Sequence, residues 1–248
     1  MKFIKLFEEQ TAFDEAKSTL NRPNVSLIKT NRKVYSLTEE GGVNANGYSY
    51  VDLGLPSRLK WATMNVGATS EADYGSYFQW GDIEDKSNSD CSWENYKYCK
   101  GTYNTLTKYC VDNDEYGPFG TVDNKITLDL EDDAARAHMG GEWRMPTKAE
   151  IQELFDNTDY EWIEDYNGSG VKGRKFTSKT NGNSIFFPAS DRSPGASLYG
   201  PGCEGGVWSS SLNTACPFSA SNLNFNLFDL YVGDIMRYRG FAVRGVKE

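Results

Sequence analysis

Apolar residues recur at every second position in several short runs of this chain, separated by clusters of Gly, Ser, Asn and Asp. That period marks half-buried strands between turns. SIFFPAS, GVWSSSL, NLNFNL and GFAVRGV are the clearest such runs. YSYVDLGLPSRLKWATMNVGA reads as two strands joined by a turn at Gly54-Leu55-Pro56-Ser57. The spacing becomes helical in LEDDAARAHMG, which follows Thr127 and stops at Gly140-Gly141. It does so again in PTKAEIQELFDN, where Pro146 sits at the first turn and Ile151, Leu154 and Phe155 form an apolar stripe. Residues 81–125 are rich in Asp, Asn, Ser, Tyr and Gly and predict a long irregular region. The class is therefore α+β, with short strands, two helices and long loops.

The first 45 residues read as a separate unit of β-α-β-β type. KFIKLF is a short strand, and Thr11 is placed to cap a helix over Ala12 to Leu20. VSLIKT and KVYSL are strands on either side of Asn31-Arg32. A piece this small is marginal alone, so it reads as an assembly or attachment module. Glu39 to Gly42 and Asn44 to Gly47 form the expected linker to a larger domain at 46–248.

Composition narrows the function. The chain has 248 residues, 38% hydrophobic and 14% aromatic, enough to bury a core. A net charge of −9 excludes the basic footprint that nucleic acid or anionic lipid demands. No apolar run approaches the length of a membrane span. The start, with Lys5, Glu8 and Glu9 breaking its apolar stretch, does not read as a signal peptide, so folding in a cytoplasm is expected. Five cysteines at irregular spacing then default to thiols, with a Cys203–Cys216 bridge as the alternative.

Catalytic constellations are scarce. The single histidine, His138, falls at a helix end with no second histidine to work beside a nucleophile. Cys91, Cys99 and Cys110 lack zinc-ligand spacing. The run Asp129 to Asp133 reads either as a hard-cation site or as the acidic first turn of a helix. The expectation is a protein without enzymatic activity, cofactor or metal.

One stretch stands apart. From Leu212 to Gly245 there is no Lys, Glu, Gln or Trp, although Lys and Glu are common elsewhere. Asn codons ending in C or T, randomised at their two adenines, yield none of these four, nor Met. Only Met236 in the stretch falls outside the accessible set. The pattern fits a diversified binding surface. In SNLNFN, Leu223 and Phe225 should face the core, which puts Asn222, Asn224 and Asn226 on an exposed face. A plain edge strand accounts for the same asparagines. LFDLYVGDIMRYRG is expected as a loop or hairpin presenting Phe228, Asp229, Tyr231, Gly233, Asp234, Ile235, Tyr238 and Arg239. Thr214, Phe218, Ser219 and Ser221 complete the candidate surface. Phe241 is ambiguous, because alternation with Val243 makes it core.

The motifs YVDLGLPSRLKWATMNVGA, DYGSYFQWGD, LEDDAARAHMGGEWRMPTKAEIQELF, FTSKTNGNSIFFPAS, WSSSL and RGFAVRGV, in that order, resemble one family. It is the paralogous set of C-type-lectin-fold domains of gut bacteria and their phages. Some members are similar to the variable proteins of diversity-generating retroelements, in which an error-prone copy replaces the 3′ end of the gene. The resemblance implies a C-type lectin fold with a variable stretch from Trp208 to Val246. It implies a ligand that is a protein or glycan on a cell surface, and display on a virion or by assembly; the small first module is the expected site of homo-oligomer assembly, such as a trimer. The start of the chain, with PNVSLI after a short helix, resembles gut-phage structural proteins. Met64 and Gly245 depart from the family's usual Cys and Pro, and the calcium motifs Glu-Pro-Asn and Trp-Asn-Asp are absent. Calcium-dependent sugar binding does not carry over. A constant member of the family, with a structural or carbohydrate-binding role, is the alternative. An enzyme of the formylglycine-generating type is a third reading, for which no cysteine motif is seen around Cys203 or Cys216.

Overall fold

The computed structural model describes residues 48–87, 91–112, 119–191 and 202–248, together with the backbone of four short strands that precede them. Those early strands are β1 (Leu6–Phe7), β2 (Ser26–Lys29), β3 (Tyr35–Thr38) and β4 (Gly42–Val43). The first three make an antiparallel sheet in the order β1-β3-β2, with Leu27 opposite Leu37. The helix expected over Ala12 to Leu20 lies outside the described residues. β4 falls inside the expected linker, yet it pairs with β5 (Ser49–Asp52) of the larger domain.

β5 continues to β6 (Lys60–Ala62), and β13 (Val246–Lys247) closes that sheet in the order β13-β6-β5-β4. The strand–turn–strand reading of this region holds. Val51 and Val246 flank Trp61 from either side, so the last strand is stapled to one of the first.

Among the described residues there is no regular helix or strand between Ala62 and Leu130. The expected irregular region is therefore real, and it sends buried rings into the core. Trp80, Tyr96 and Tyr109 are buried. Their polar atoms are all partnered: Trp80 Nε1 donates to the Ser209 carbonyl at 2.8 Å, the Tyr96 hydroxyl to the Trp80 carbonyl at 2.8 Å, and the Tyr109 hydroxyl to the Asp132 carboxylate at 2.7 Å.

The first expected helix is split. A 3₁₀ turn covers Leu130–Asp132, and the α-helix α1 covers only Ala134–Met139. Asp133 breaks it, because its extended backbone lets the carboxylate accept the Arg136 and Met145 amides at 2.9 and 2.7 Å. Helix α2 covers Lys148–Asp156. Its cap is Thr147, with Pro146 outside the helix and not at its first turn. Thr147 and Glu150 bond each other's backbone amides reciprocally, a capping box written in the sequence as T-K-A-E. Arg144 grips the same Glu150 carboxylate with two nitrogens at 2.8 and 2.7 Å. Ile151 and Leu154 are buried as the stripe requires.

Two further antiparallel sheets follow. β7 (Thr158–Ile163), β8 (Gly173–Ser178) and β9 (Ser184–Pro188) run in chain order. So do β10 (Glu204–Leu212), β11 (Ser219–Asn226) and β12 (Leu230–Met236). The class is α+β, assembled from small antiparallel sheets.

The β10-β11-β12 sheet lies between two apolar clusters. Val207, Leu223 and Phe225 enter one, with Trp61, Leu154 and Phe187. Trp208, Leu212 and Ala220 enter the other, with Trp80, Tyr109, Trp143 and Phe241. Two arginines are fully buried among these rings. Arg244 donates to Asn65 Oδ1 and to the Ala62 and Phe186 carbonyls at 2.9 to 3.0 Å, and burial pulls its pKa down to about 9.

GFAVRGV is not one strand. Phe241 exchanges two backbone bonds with Phe78, Ala242 accepts from Trp208, Val243 from Val66 and Gly245 from Ala62. The segment crosses several partners in turn, so only Val246–Lys247 forms a strand, with β6.

Candidate functional site

The segment expected as a loop or hairpin of its own supplies only the tip and second strand of one: β11 and β12 pair in unbroken antiparallel register from Ser219 opposite Met236 to Phe225 opposite Leu230. Its tip is built by Asn226. The side-chain oxygen accepts the Phe228 and Asp229 amides at 2.7 and 2.8 Å, and the Asn226 amide donates to the Asp229 carbonyl at 2.9 Å. Arg174 on β8 fastens that turn by donating to the carbonyls of Asn226 and Leu227 at 2.8 and 3.1 Å. The tip is thus held by hydrogen bonds while its side chains project outward. Phe228 is 86% exposed and Tyr231 53%. Asp229 is exposed at the tip, and Asp234 is exposed on the face of β12 opposite Tyr231. Lys148, at the start of α2, lies 3.6 Å from Asp234.

The other nominated residues divide sharply. Thr214 is exposed in the β10–β11 turn. Phe218, Asn224, Gly233, Ile235, Tyr238 and Arg239 are half-buried. Phe218 packs against Tyr103 and Phe119 with ring centroids 5.6 and 5.1 Å away. Tyr238 packs on Trp93 at 5.0 Å and carries the Arg239 guanidinium 5.2 Å above its ring. Asn226 is half-buried at the tip.

Ser219, Ser221, Asn222 and Phe241 are buried and present no side chain to a partner. The exposed face expected for Asn222 is corrected here. Leu223 and Phe225 do face the core, but the opposite face of the sheet is also covered, because a second apolar cluster lies against it. Asn222 instead exchanges two amide bonds of 2.9 Å with Asn224. Ser221 donates to Asp234. Phe241 takes its core alternative, 5.1 Å from the Trp208 ring.

Sequence reasoning passed over Leu227 and Met236, which are 47% and 40% exposed on the same hairpin. The codon pattern rules Met out, and Leu227 looks like a core residue in a strand pattern. It also missed Asp191 and Glu204, which lie before the unusual stretch. With Asn224, Asn226 and Tyr231 they line a cleft of about 30 Å³ at the open end of the sheet, over the rings of Phe225 and Phe241. Those rings reach the backbone because β10 carries Gly205 and Gly206. A Cβ there would lie 2.2 and 2.3 Å from the Phe225 and Phe241 rings.

The acidic run near α1 is already filled. Lys108 lies 2.7, 3.2 and 2.5 Å from Asp129, Glu131 and Asp132, while Lys97 and Lys125 add further ion pairs. An ammonium group stands where a hard cation would sit. His138 is exposed in the last turn of α1, with Nε2 2.8 Å from the Ile83 carbonyl. No disulfide joins any of the five cysteines, Cys203 and Cys216 included. Among the described residues no helix is long and apolar enough to cross a membrane.

No protein-family model, curated protein or solved structure matches this chain.

Proposed function

We propose that this protein is a non-enzymatic binding protein whose β11–β12 hairpin carries a diversified recognition surface on a C-type-lectin-type scaffold. One observation carries the reading: the hairpin backbone is held by a continuous ladder, by Asn226 and by Arg174, while Phe228, Asp229 and Tyr231 project into solvent from the stretch with unusual residue usage. Aromatic anchors on a fixed backbone bury much area at little ordering cost, which is the economy of a protein-binding surface. The α+β architecture of small antiparallel sheets, two α-helices and one long irregular stretch supports the scaffold assignment. The ligand is a protein or glycan on a cell surface. Single-site affinity is modest, and several copies displayed on a phage particle or by assembly supply avidity.

The DNA beyond the coding region for Val246 tests this. A near-copy of codons 208 to 246 is expected beside a reverse transcriptase gene, differing at adenines. The differing codons are expected at Phe228, Asp229, Tyr231 and Asp234. If no copy exists, or if the differences gather on the buried Ser221, Asn222 and Phe241, the reading fails.

A further inference from the structure

We infer that the open edge of β12 pairs with the same edge of a second copy of this chain. The pairing is antiparallel and centred on Gly233, so that two sheets join into one. It stands whatever the hairpin tip binds.

The fold treats the two edges of the β10-β11-β12 sheet differently. The outer edge of β10 is bonded along its length. The Asp191 and Leu128 amides donate to the Glu204 and Ser210 carbonyls at 2.7 and 3.0 Å. The Trp208, Ser210 and Leu212 amides donate to the Ala242, Pro146 and Ile126 carbonyls at 3.1, 2.8 and 2.9 Å. β12 is the other outer strand. The Asn226 amide donates to the Asp229 carbonyl and the Arg237 amide to the Phe218 carbonyl, which fixes the alternation of the ladder. Tyr231, Gly233 and Ile235 turn their backbone groups to β11, while Leu230, Val232, Asp234 and Met236 turn theirs outward. Among the described residues, the one backbone bond made by these outward groups is from the Arg239 amide to the Met236 carbonyl, at 3.0 Å. The strand has seven residues, no Pro, no Lys and no bulge, and such an edge is a template for another strand.

Symmetry and charge choose the occupant and its register. Outward residues pair only with outward residues, so a twofold axis can pass Val232, Gly233 or Asp234. At Asp234 it sets two carboxylates directly opposite each other, which repels. At Val232 it brings the turn residue Phe228, in place of strand, opposite Met236. At Gly233 all the outward residues pair, Leu230 with Met236 and Val232 with Asp234 of the second copy. The strand's one charge, Asp234, then faces a valine and keeps Lys148 of its own copy at 3.6 Å. On the other face Tyr231 comes opposite Ile235 of the second copy, a favourable aromatic and β-branched pair. Gly233 meets itself at the axis, and the Tyr231 ring already leans there: a Cβ on Gly233 would lie 2.7 Å from it. The exposed side chains of Tyr231 and Met236 are covered in this arrangement. The two tips point in opposite directions, with the two Asp229 positions roughly 26 Å apart at strand spacing.

Analytical ultracentrifugation of the full chain, under reducing conditions, reads mass against concentration. A monomer–dimer equilibrium is expected, with a dissociation constant on the order of 10 μM for so small an interface. Val232→Pro removes an outward amide that β11 does not use, and should weaken the dimer about tenfold or more with the circular dichroism spectrum unchanged. If that variant does not fold, cross-linking decides, in a Cys203→Ser background that removes the exposed native thiol. Chains carrying Tyr231→Cys and chains carrying Ile235→Cys, mixed and oxidised, should give a disulfide-linked dimer, because opposite residues of a non-hydrogen-bonded pair come close enough for the bond. A monomer throughout the micromolar range, an assembly that Val232→Pro leaves intact, or cross-linking no greater in the mixture than in either variant alone would each overturn the inference.

Discussion

The guanidinium of Arg237 lies 4.9 Å over the indole of Trp80, and every hydrogen bond it makes goes to a neutral oxygen. The acceptors are the Tyr96 hydroxyl and the carbonyls of Lys108, Tyr109 and Pro217. One side chain thereby joins the end of the hairpin to the irregular stretch that carries the larger cluster's aromatic residues.

Removing that side chain strands several buried acceptors at once, each costing about 1–3 kcal/mol. Arg237→Ala is expected to lose about 3 kcal/mol or more in guanidinium chloride unfolding. Arg237→Lys should recover little, because one ammonium cannot reproduce a planar fork. A lysine variant as stable as the parent would show that the fork geometry is unimportant.

Phe228 and Phe241 belong to the same stretch but sit in opposite environments. Phe228→Ala should leave the unfolding midpoint nearly unchanged, since the ring is 86% exposed. Phe241→Ala empties a packed site and should cost about 3–5 kcal/mol. Comparable losses from both would mean that the hairpin tip is packed in solution.

Close approach of backbone and ring makes β10 intolerant of any side chain at two places. Gly205→Ala and Gly206→Ala each force a buried Phe ring aside and should cost about 1–3 kcal/mol. Differential scanning calorimetry reads this directly, and a gain in Tm for either variant would refute the packing described.

Acid stability should depend on Asp132. Burial raises its pKa, but bonds from Lys108, Tyr98, Tyr109 and Lys97 outweigh that and hold it at about 2, against an ordinary value of 3.8. A carboxyl depressed in the folded state adds stability in full above its unfolded value, and that stability fades as pH falls towards 2. Asp132→Asn is therefore expected to be less stable than the parent at pH 7, with the gap narrowing between about pH 4 and pH 2. A gap constant over that window would assign the loss to packing alone.

Local signals were read well where one principle governs. The period-two runs located β9, β10 and β11, and the stripe Ile151-Leu154 fixed the buried side of α2. Errors arose where the long-range environment overrules the local pattern. Asn222 looks like an outward position until a second cluster is laid over the sheet. GFAVRGV alternates like a strand, yet its neighbours are several separate segments that no local window reveals. Asp133 interrupts a helical run because Met145, a dozen positions later, needs its carboxylate. The cleft was invisible because Asp191 and Glu204 meet Tyr231 only through sheet pairing.

The stapling of Val246 beside Trp61 also sets the order of events during synthesis. Trp61 leaves the ribosome early, but its neighbour in the sheet, and the carbonyls of Val243 and Gly245 that accept the Val66 and Ala62 amides, emerge only after the whole hairpin. Folding of the larger domain therefore waits for the reading frame to survive to that point. A chain cut short or frame-shifted in the hairpin cannot close and is open to proteolysis. Closure of the larger domain is thereby tied to synthesis of nearly the whole chain.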